Sequence, residues 1–338
     1  MEGYKSSANS YEVDTIYIGG GTPSSLTPSQ IKKLFGSIRN HFCISKEAEI
    51  TVEVNPHSAS KKILKALKQC KVNRLSIGLQ SADDSELSSL SRLHTFEDFI
   101  DTYNTARKLK FSNISVDLMF GIPNQTISSL NNTLEKVIDL SPEHISLYGL
   151  KIENGTPFAE QKDSLNLPDE DTESIMYLSA IEKLNSAGYY QYEISNFAKE
   201  GYKCAHNLKY WNCEEYLGLG TAASSYFCGR RFTFINDIKR YCEVLLCDKQ
   251  ESLLSEYMEI PKNQIIGEYV MLRFRLNEGI ILKDFASRFN NKNFEEMFGD
   301  KLKRFVDSGH VIKNENGYAL TPEGFYISNY ILSEILDF

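Results

Sequence analysis

From the start of the chain to about residue 150, short apolar runs alternate with longer stretches whose apolar positions recur at helical spacing. Thr15–Ile18, Ile50–Val54, Arg74–Ile77, Ile114–Met119 and Ile145–Tyr148 read as strands. Helices are predicted between them. The first opens at Thr27 as N-cap, with Pro28 at its first position and Gln30 completing a capping box, and runs to His41. A Lys/Leu-rich helix ends at Cys70, and Ser85–Ser91, Phe96–Leu109 and Thr126–Leu140 follow. Strands apolar on both faces and separated by helices specify a parallel sheet. Five such strands suit an open doubly wound sheet or part of a (β/α) barrel, and either architecture places ligands at the carboxyl ends of the strands. Gly20-Gly21-Thr22, Glu53, Asn55, Gln80, Asp117 and Tyr148 all gather at that end.

After Lys151 the alternation stops. Asp169–Ala187 is a long helix, Gln191–Ile194 a strand, and 196–220 a loop-like stretch rich in Tyr, Asn and Gly. Ser224–Phe227 and Arg231–Ile235 form a hairpin, and Ile238–Leu246 a helix. Further helices at Gln264–Leu276, Ile281–Phe289 and Phe294–Ser308 precede a two-stranded ribbon, Val311–Lys313 with Tyr318–Leu320, and a closing helix. Three helices and a ribbon predict a winged-helix-like C-terminal domain.

Charge narrows the functions. The 338 residues carry 37 Lys and Arg against 45 Asp and Glu, a net charge of −8, and residues 251–338 hold 10 basic against 14 acidic side chains. Such a surface does not neutralise phosphates, so nucleic acid is excluded as a partner. With 41% hydrophobic residues and a polar start, the chain reads as globular and cytoplasmic, without stable membrane insertion. Its 7 Cys include no C-x-x-C or C-x-x-x-C pair. Cys43, Cys70, Cys228, Cys242 and Cys247 read as small buried hydrophobes, and Cys204 and Cys213 fit no zinc spacing.

Gly19-Gly20-Gly21-Thr22-Pro23-Ser24 is the sharpest local signal, since successive glycines after a strand admit a ligand to the backbone and expose N–H groups to an anion. The same residues also suit a tight strand-to-helix turn. Glu53 and Asp117 are acids set within apolar strands, to be held at a rim or by partners; the plain alternative for Glu53 is a salt bridge to a helix Lys. Gln80 and Arg92 are weak signals individually. His206, in His206-Asn207-Leu208-Lys209-Tyr210-Trp211, is either an iron ligand for haem or a hydrogen-bonded packing residue.

Read together and in order, Ile18-Gly19-Gly20-Gly21-Thr22-Pro23-Ser24, Glu53-Val54-Asn55-Pro56, Arg74-Leu75-Ser76-Ile77-Gly78-Leu79-Gln80-Ser81, Asp117-Leu118-Met119-Phe120-Gly121-Ile122-Pro123, Tyr192-Glu193-Ile194-Ser195-Asn196-Phe197 and the His206–Trp211 segment carry a resemblance. The sequence resembles the radical S-adenosylmethionine proteins related to oxygen-independent coproporphyrinogen III oxidase, in their haem-chaperone branch. The resemblance covers nearly the whole chain.

It implies an open (β/α)6-type partial barrel with its extension over 1–235, here missing its first strand, and a smaller C-terminal winged-helix-like α+β domain over 236–338. It further implies S-adenosylmethionine across the strand ends. Gly20, Gly21 and Thr22 would receive the methionine amino and carboxylate groups, and Glu53, Gln80, Arg92 and Asp117 the rest of that cofactor. His206 would serve haem. Family members carry C-x-x-x-C-x-x-C on the first strand for a [4Fe–4S] cluster, but no Cys precedes Cys43 here. The expectation is therefore an N-terminally truncated chain or mis-called start, which as written ligates no cluster. The function implied is haem binding and transfer to an accepting protein. A coproporphyrinogen-oxidising enzyme and a cluster-free binding module stay open beside it. An unpaired edge strand predicts self-association, as a homodimer.

Overall fold

In the computed structural model, residues 11–161, 164–245, 253–261 and 263–336 are described. The chain divides into two compact units, the first ending at Cys204 and the second beginning at Ala205. That division falls earlier than the 235/236 boundary expected from the sequence, because segment 205–235 makes its contacts within the second unit. Arg273 Nη1 donates to Asn212 Oδ1 at 2.5 Å, Arg231 pairs with Glu268, and strand Arg230–Phe234 pairs with strand Leu254–Glu259.

The first unit is built on one curled sheet of seven strands. Its strands are β1 (Glu12–Ile18), β2 (Cys43–Val54), β3 (Arg74–Gln80), β4 (Ile114–Phe120), β5 (His144–Gly149), β6 (Tyr190–Glu193) and β7 (Asn196–Ala198), in spatial order β1-β2-β3-β4-β5-β7-β6. The first five are parallel, as the alternating pattern predicts. They are connected by α1 (Pro28–His41), α2 (Lys61–Gln69), α3 (Asp84–Ser89) with α4 (Phe96–Lys108), and α5 (Ile127–Leu140); α6 (Glu170–Ser186) precedes β6. The capping box expected at Thr27 is present, and Ser60, Asp83, Thr95, Thr126 and Asp169 cap the later helices in the same way, each accepting a backbone N–H of the first turn.

The sheet extends beyond the sequence reading. Residues 196–198, read as loop, form β7, which pairs antiparallel with both β5 and β6. Three residues give too little pattern for a strand to be read. The strands are also not apolar on both faces. Leu75, Ile77, Leu79, Val116, Leu118, Ile145 and Leu147 form one fully buried apolar face, onto which the crossover helices pack. The opposite face is polar: Glu53, Arg74, Ser76, Gln80, Ser115, Asp117, His144, Ser146 and Tyr192. Of these all but Glu53 and Asp117 are buried. Period-two alternation was present in β3 and β4, but short polar residues among aliphatic ones weakened it.

In the second unit α7 (Ala205–Trp211) occupies part of the expected loop. A three-stranded sheet joins β8 (Ser224–Phe227), β9 (Arg230–Phe234) and β10 (Leu254–Glu259), with α8 (Ile238–Leu245) between the last two. Then come α9 (Ile265–Arg273), β11 (Ile280–Ile281), α10 (Leu282–Arg288), α11 (Asp300–Asp307), β12 (Val311–Lys313), β13 (Gly317–Leu320), α12 (Pro322–Tyr326) and α13 (Ser328–Ile335). The predicted ribbon is three-stranded, since β11 adds to β13. Phe274, Phe285, Phe294 and Tyr318 form the aromatic core beneath it. Of the cysteines expected to be buried only Cys70 is; Cys43, Cys228 and Cys242 are exposed, and Cys247 lies outside the described residues.

Candidate functional site

The carboxyl end of the parallel strands brings Gly20, Glu53 and Asp117 into one neighbourhood, together with Tyr17. β1 runs straight into Gly19 and Gly20. Gly20 adopts φ +80°, which turns its N–H onto Glu53 Oε2 at 3.1 Å, while Tyr17 donates its hydroxyl to Glu53 Oε1 at 2.9 Å. Glu53 thus takes its partners from the neighbouring strand, and the helix Lys of the plain reading is not one of them. A Cβ on Gly19 would lie 2.5 Å from Glu53 Oε1 and 2.7 Å from Tyr17 Cε1, so the carboxylate reaches its place only because residue 19 has no side chain. Gly20 and Gly21 face open space, and Thr22 opens a short turn by accepting the Ser25 N–H at 2.9 Å.

Burial raises the Glu53 carboxyl above its ordinary value; the bonds from Tyr17 and Gly20 oppose the shift, and the Asp117 carboxylate adds to it. The Tyr17 phenol is pushed far above its ordinary range by burial, then by the Asp117 and Glu53 carboxylates, so it stays a donor. Glu53, Asp117 and Tyr17 therefore share one electrostatic environment.

Asp117 sits in the polar face of β4. Ser76 donates to Oδ1 and Oδ2 at 2.9 Å each, and Ser115 to Oδ1 at 3.1 Å. Ser115 continues to His144 Nδ1 at 2.8 Å, and His144 Nε2 meets the Tyr192 hydroxyl at 2.8 Å. Burial, reinforced by Arg74, holds His144 well below its ordinary value and hence neutral. Tyr192 in turn accepts the Cys204 N–H at 3.2 Å, and the Cys204 thiol donates to Glu49 at 3.4 Å.

Gln80 and Arg92 form a second group. Gln80 ends β3 with φ +73°, a left-handed conformation that costs a non-glycine residue about 1 kcal/mol, and its amide folds back over Gly78. Arg92 lies in the turn after α3, half-buried, and its guanidinium makes no hydrogen bond or ion pair among the described residues. Its surroundings, not a helix surface, set its character: burial lowers its pKa. It acts on His94, whose Nε2 meets the Leu79 carbonyl at 3.2 Å, next to Gln80.

The sequence reading missed Glu173. It lies one turn into α6, within Glu170-Asp171-Thr172-Glu173, where acids are ordinary company for a helix N-terminus. Its carboxyl packs over the glycines that close β4 and β5: a Cβ on Gly149 would lie 3.5 Å, and one on Gly121 3.8 Å, from Glu173 Oε1.

His206 belongs to the second unit. Its Nε2 meets the Tyr210 hydroxyl at 2.9 Å, one helical turn along α7, with the two rings edge to face at 5.2 Å. A cavity of about 330 Å³ opens beside the end of α7, lined by Asn212, Glu214, Tyr269, Arg273, Asp284, Ser287 and Arg288. Arg288 donates to the Cys213 carbonyl at 3.1 Å and lies 5.2 Å over the Tyr269 ring.

The donor set at the rim suits a zwitterionic sulfonium ligand, with carboxylates for its cationic groups, an uncommitted guanidinium, and glycines that leave room at the backbone. A metal cluster is a different matter: among the described residues no group of three or more His, Cys, Asp and Glu side chains can hold a metal ion. No helix of the described residues is long and apolar enough to cross a membrane.

With its curled parallel sheet, the chain is a protein of the radical SAM superfamily, whose sequence pattern matches residues 4–137; the HemN C-terminal domain pattern matches residues 260–327. The solved structure of coproporphyrinogen III oxidase from Escherichia coli superposes with a TM-score of 0.82 at 24% identity, over 96% of this chain and 78% of that one. The haem chaperone HemW of Bacillus subtilis is 36% identical over 96% of this chain and 86% of its own length, and that of Lactococcus lactis 31% identical over 97% and 86%. A mitochondrial radical S-adenosyl methionine domain-containing protein 1 from Bos taurus is 39% identical over 96% of this chain and 76% of its own. The chain belongs to the HemW family.

Proposed function

We propose that this protein is a haem chaperone of the radical SAM superfamily, which binds haem, passes it to an accepting protein, and holds S-adenosylmethionine at the strand-end rim of its first unit. The observation that carries the reading is the likeness to HemW chaperones along nearly the whole length of both chains. The protein's place of work is proposed to be the cytoplasm.

S-adenosylmethionine supplies a positively charged sulfonium and a nucleoside. Gly20, Gly21 and Thr22 would take its amino acid end, with Glu53 fixing the loop through Gly20 as well as facing the ligand. Asp117 would be oriented by Ser76 and Ser115, and Gln80, at the end of β3 between the strands of Glu53 and Asp117, would complete the set with Arg92. The cluster of the superfamily finds no ligands among the described residues, so no step is assigned to it.

For haem, His206 is the candidate ligand. Nε2 is engaged with the Tyr210 hydroxyl, so coordination of iron through Nε2 would require that contact to open. The test is a haem titration of the purified protein followed by its Soret band, with coproporphyrinogen offered separately. Stoichiometric haem uptake without decarboxylation is expected. Turnover of coproporphyrinogen would replace this reading with an enzymatic one.

A further inference from the structure

Glu173 is half-buried, and its carboxylate makes no hydrogen bond or ion pair among the described residues. Its neighbours on the first turn of α6, Glu170 and Asp171, are exposed. Glu173 turns inward, over Gly121 and Gly149, the residues at which β4 and β5 reach the rim, and beside Phe120. Gly121 has φ +75°, and the carboxyl lies at van der Waals distance from both glycines. The buried part of that carboxylate carries a desolvation cost that no protein donor offsets. Here that cost lifts its pKa, with Glu170 adding to the rise. An acid held by a helix over the end of the strand that carries Asp117, with no protein donor, is placed to face a donor that a ligand brings.

We infer that Glu173 is a further ligand-binding residue, accepting hydrogen bonds from the hydroxyl or amino groups of a nucleoside seated over the ends of β4 and β5. The inference rests on the cofactor reading above and specifies it. The methionine end belongs to the glycine loop after β1, and the nucleoside end to the opposite stretch of the rim. Glu173 has no part in holding the sulfonium's amino acid.

The test is calorimetric titration of the purified chain with S-adenosylhomocysteine and with methylthioadenosine, which keeps the nucleoside and lacks the amino acid. Wild type is compared with Glu173→Gln, Glu173→Asp and Glu53→Gln, and each variant is also melted without ligand. Glu173→Gln is expected to weaken both ligands by about tenfold and by the same factor, as loss of one charge-assisted bond does. Its ligand-free melting temperature should be unchanged or higher, because an unpaired carboxylate has been removed. Glu173→Asp, one carbon short, should fall between.

Unchanged affinity in Glu173→Gln while Glu53→Gln loses binding overturns the inference and leaves the rim intact. A lower melting temperature accompanying the lost affinity also overturns it, by showing a structural role. Failure of wild type to bind either ligand removes the rim reading and this inference with it.

Discussion

Gly19 is a residue defined by what its neighbours occupy. An alanine there would force Glu53 or Tyr17 aside, so Gly19→Ala is expected to cost about 1–3 kcal/mol in a urea melt, the range of overpacked sites. S-adenosylhomocysteine affinity should fall about tenfold as Glu53 leaves Gly20. Gln80 predicts the reverse trade. Gln80→Gly relieves a left-handed backbone and should raise stability by about 1 kcal/mol while weakening the cofactor, measurable by melts and calorimetry on one preparation.

Glu53 also gives the ligand-free protein a pH signature. Its carboxyl is raised from 4.5, so the folded state holds a proton that the unfolded chain has already released. Stability should fall as pH climbs from the ordinary carboxylate range through the raised folded value, and Glu53→Gln should flatten that slope. A wild-type slope that survives the substitution would remove Glu53 as its source. At this scale the sequence exposed Glu53 and Asp117, because an acid among aliphatic residues is conspicuous. Glu173 was hidden, because an acid in the first turn of a helix is not.

Among elements, the clamp between α4 and the start of β5 bears most weight. Arg107 meets both Glu143 oxygens, at 2.8 and 3.0 Å, and Glu143 also accepts the Ile114 N–H at 2.9 Å, which ties a helix to two strands. Arg107→Ala is expected to cost about 2–3 kcal/mol in denaturant melts, more than an exposed ion pair, because Glu143 keeps its place with half its partners gone. Arg107→Lys should recover only part, lacking the fork. Elements with a full period and a cap were legible in the chain, α1 with its Thr27 capping box above all. β7, three residues long, and α7, which has no buried residue of its own, offered no period to read. Both are fixed by tertiary contacts.

Across the whole molecule, ligands belong to separate units in the proposed function: the nucleoside cofactor to the first, haem to the second. Ligand at a hundredfold excess over its Kd stabilises the state that binds it by about 2.7 kcal/mol. Hydrogen exchange should therefore slow within residues 11–204 when S-adenosylhomocysteine is added, and within 205–336 when haem is added. Protection appearing in the opposite unit would refute the assignment. The division at Cys204 itself could not be read from composition, because no proline- or glycine-rich linker marks it.

The seven-stranded sheet has two chemically incompatible faces, and that difference acts as a proofreader. If β3 slid by one residue against β2, Arg74, Ser76 and Gln80 would turn into the aliphatic layer, and Leu75, Ile77 and Leu79 into the polar one. A guanidinium would then be stranded in hydrocarbon, at a cost beyond any gain in strand pairing. Mispaired chains are thus rejected by solvation before any ligand is tested. The same seam of polar side chains that prepares a binding rim also tells the folding strands where to stop.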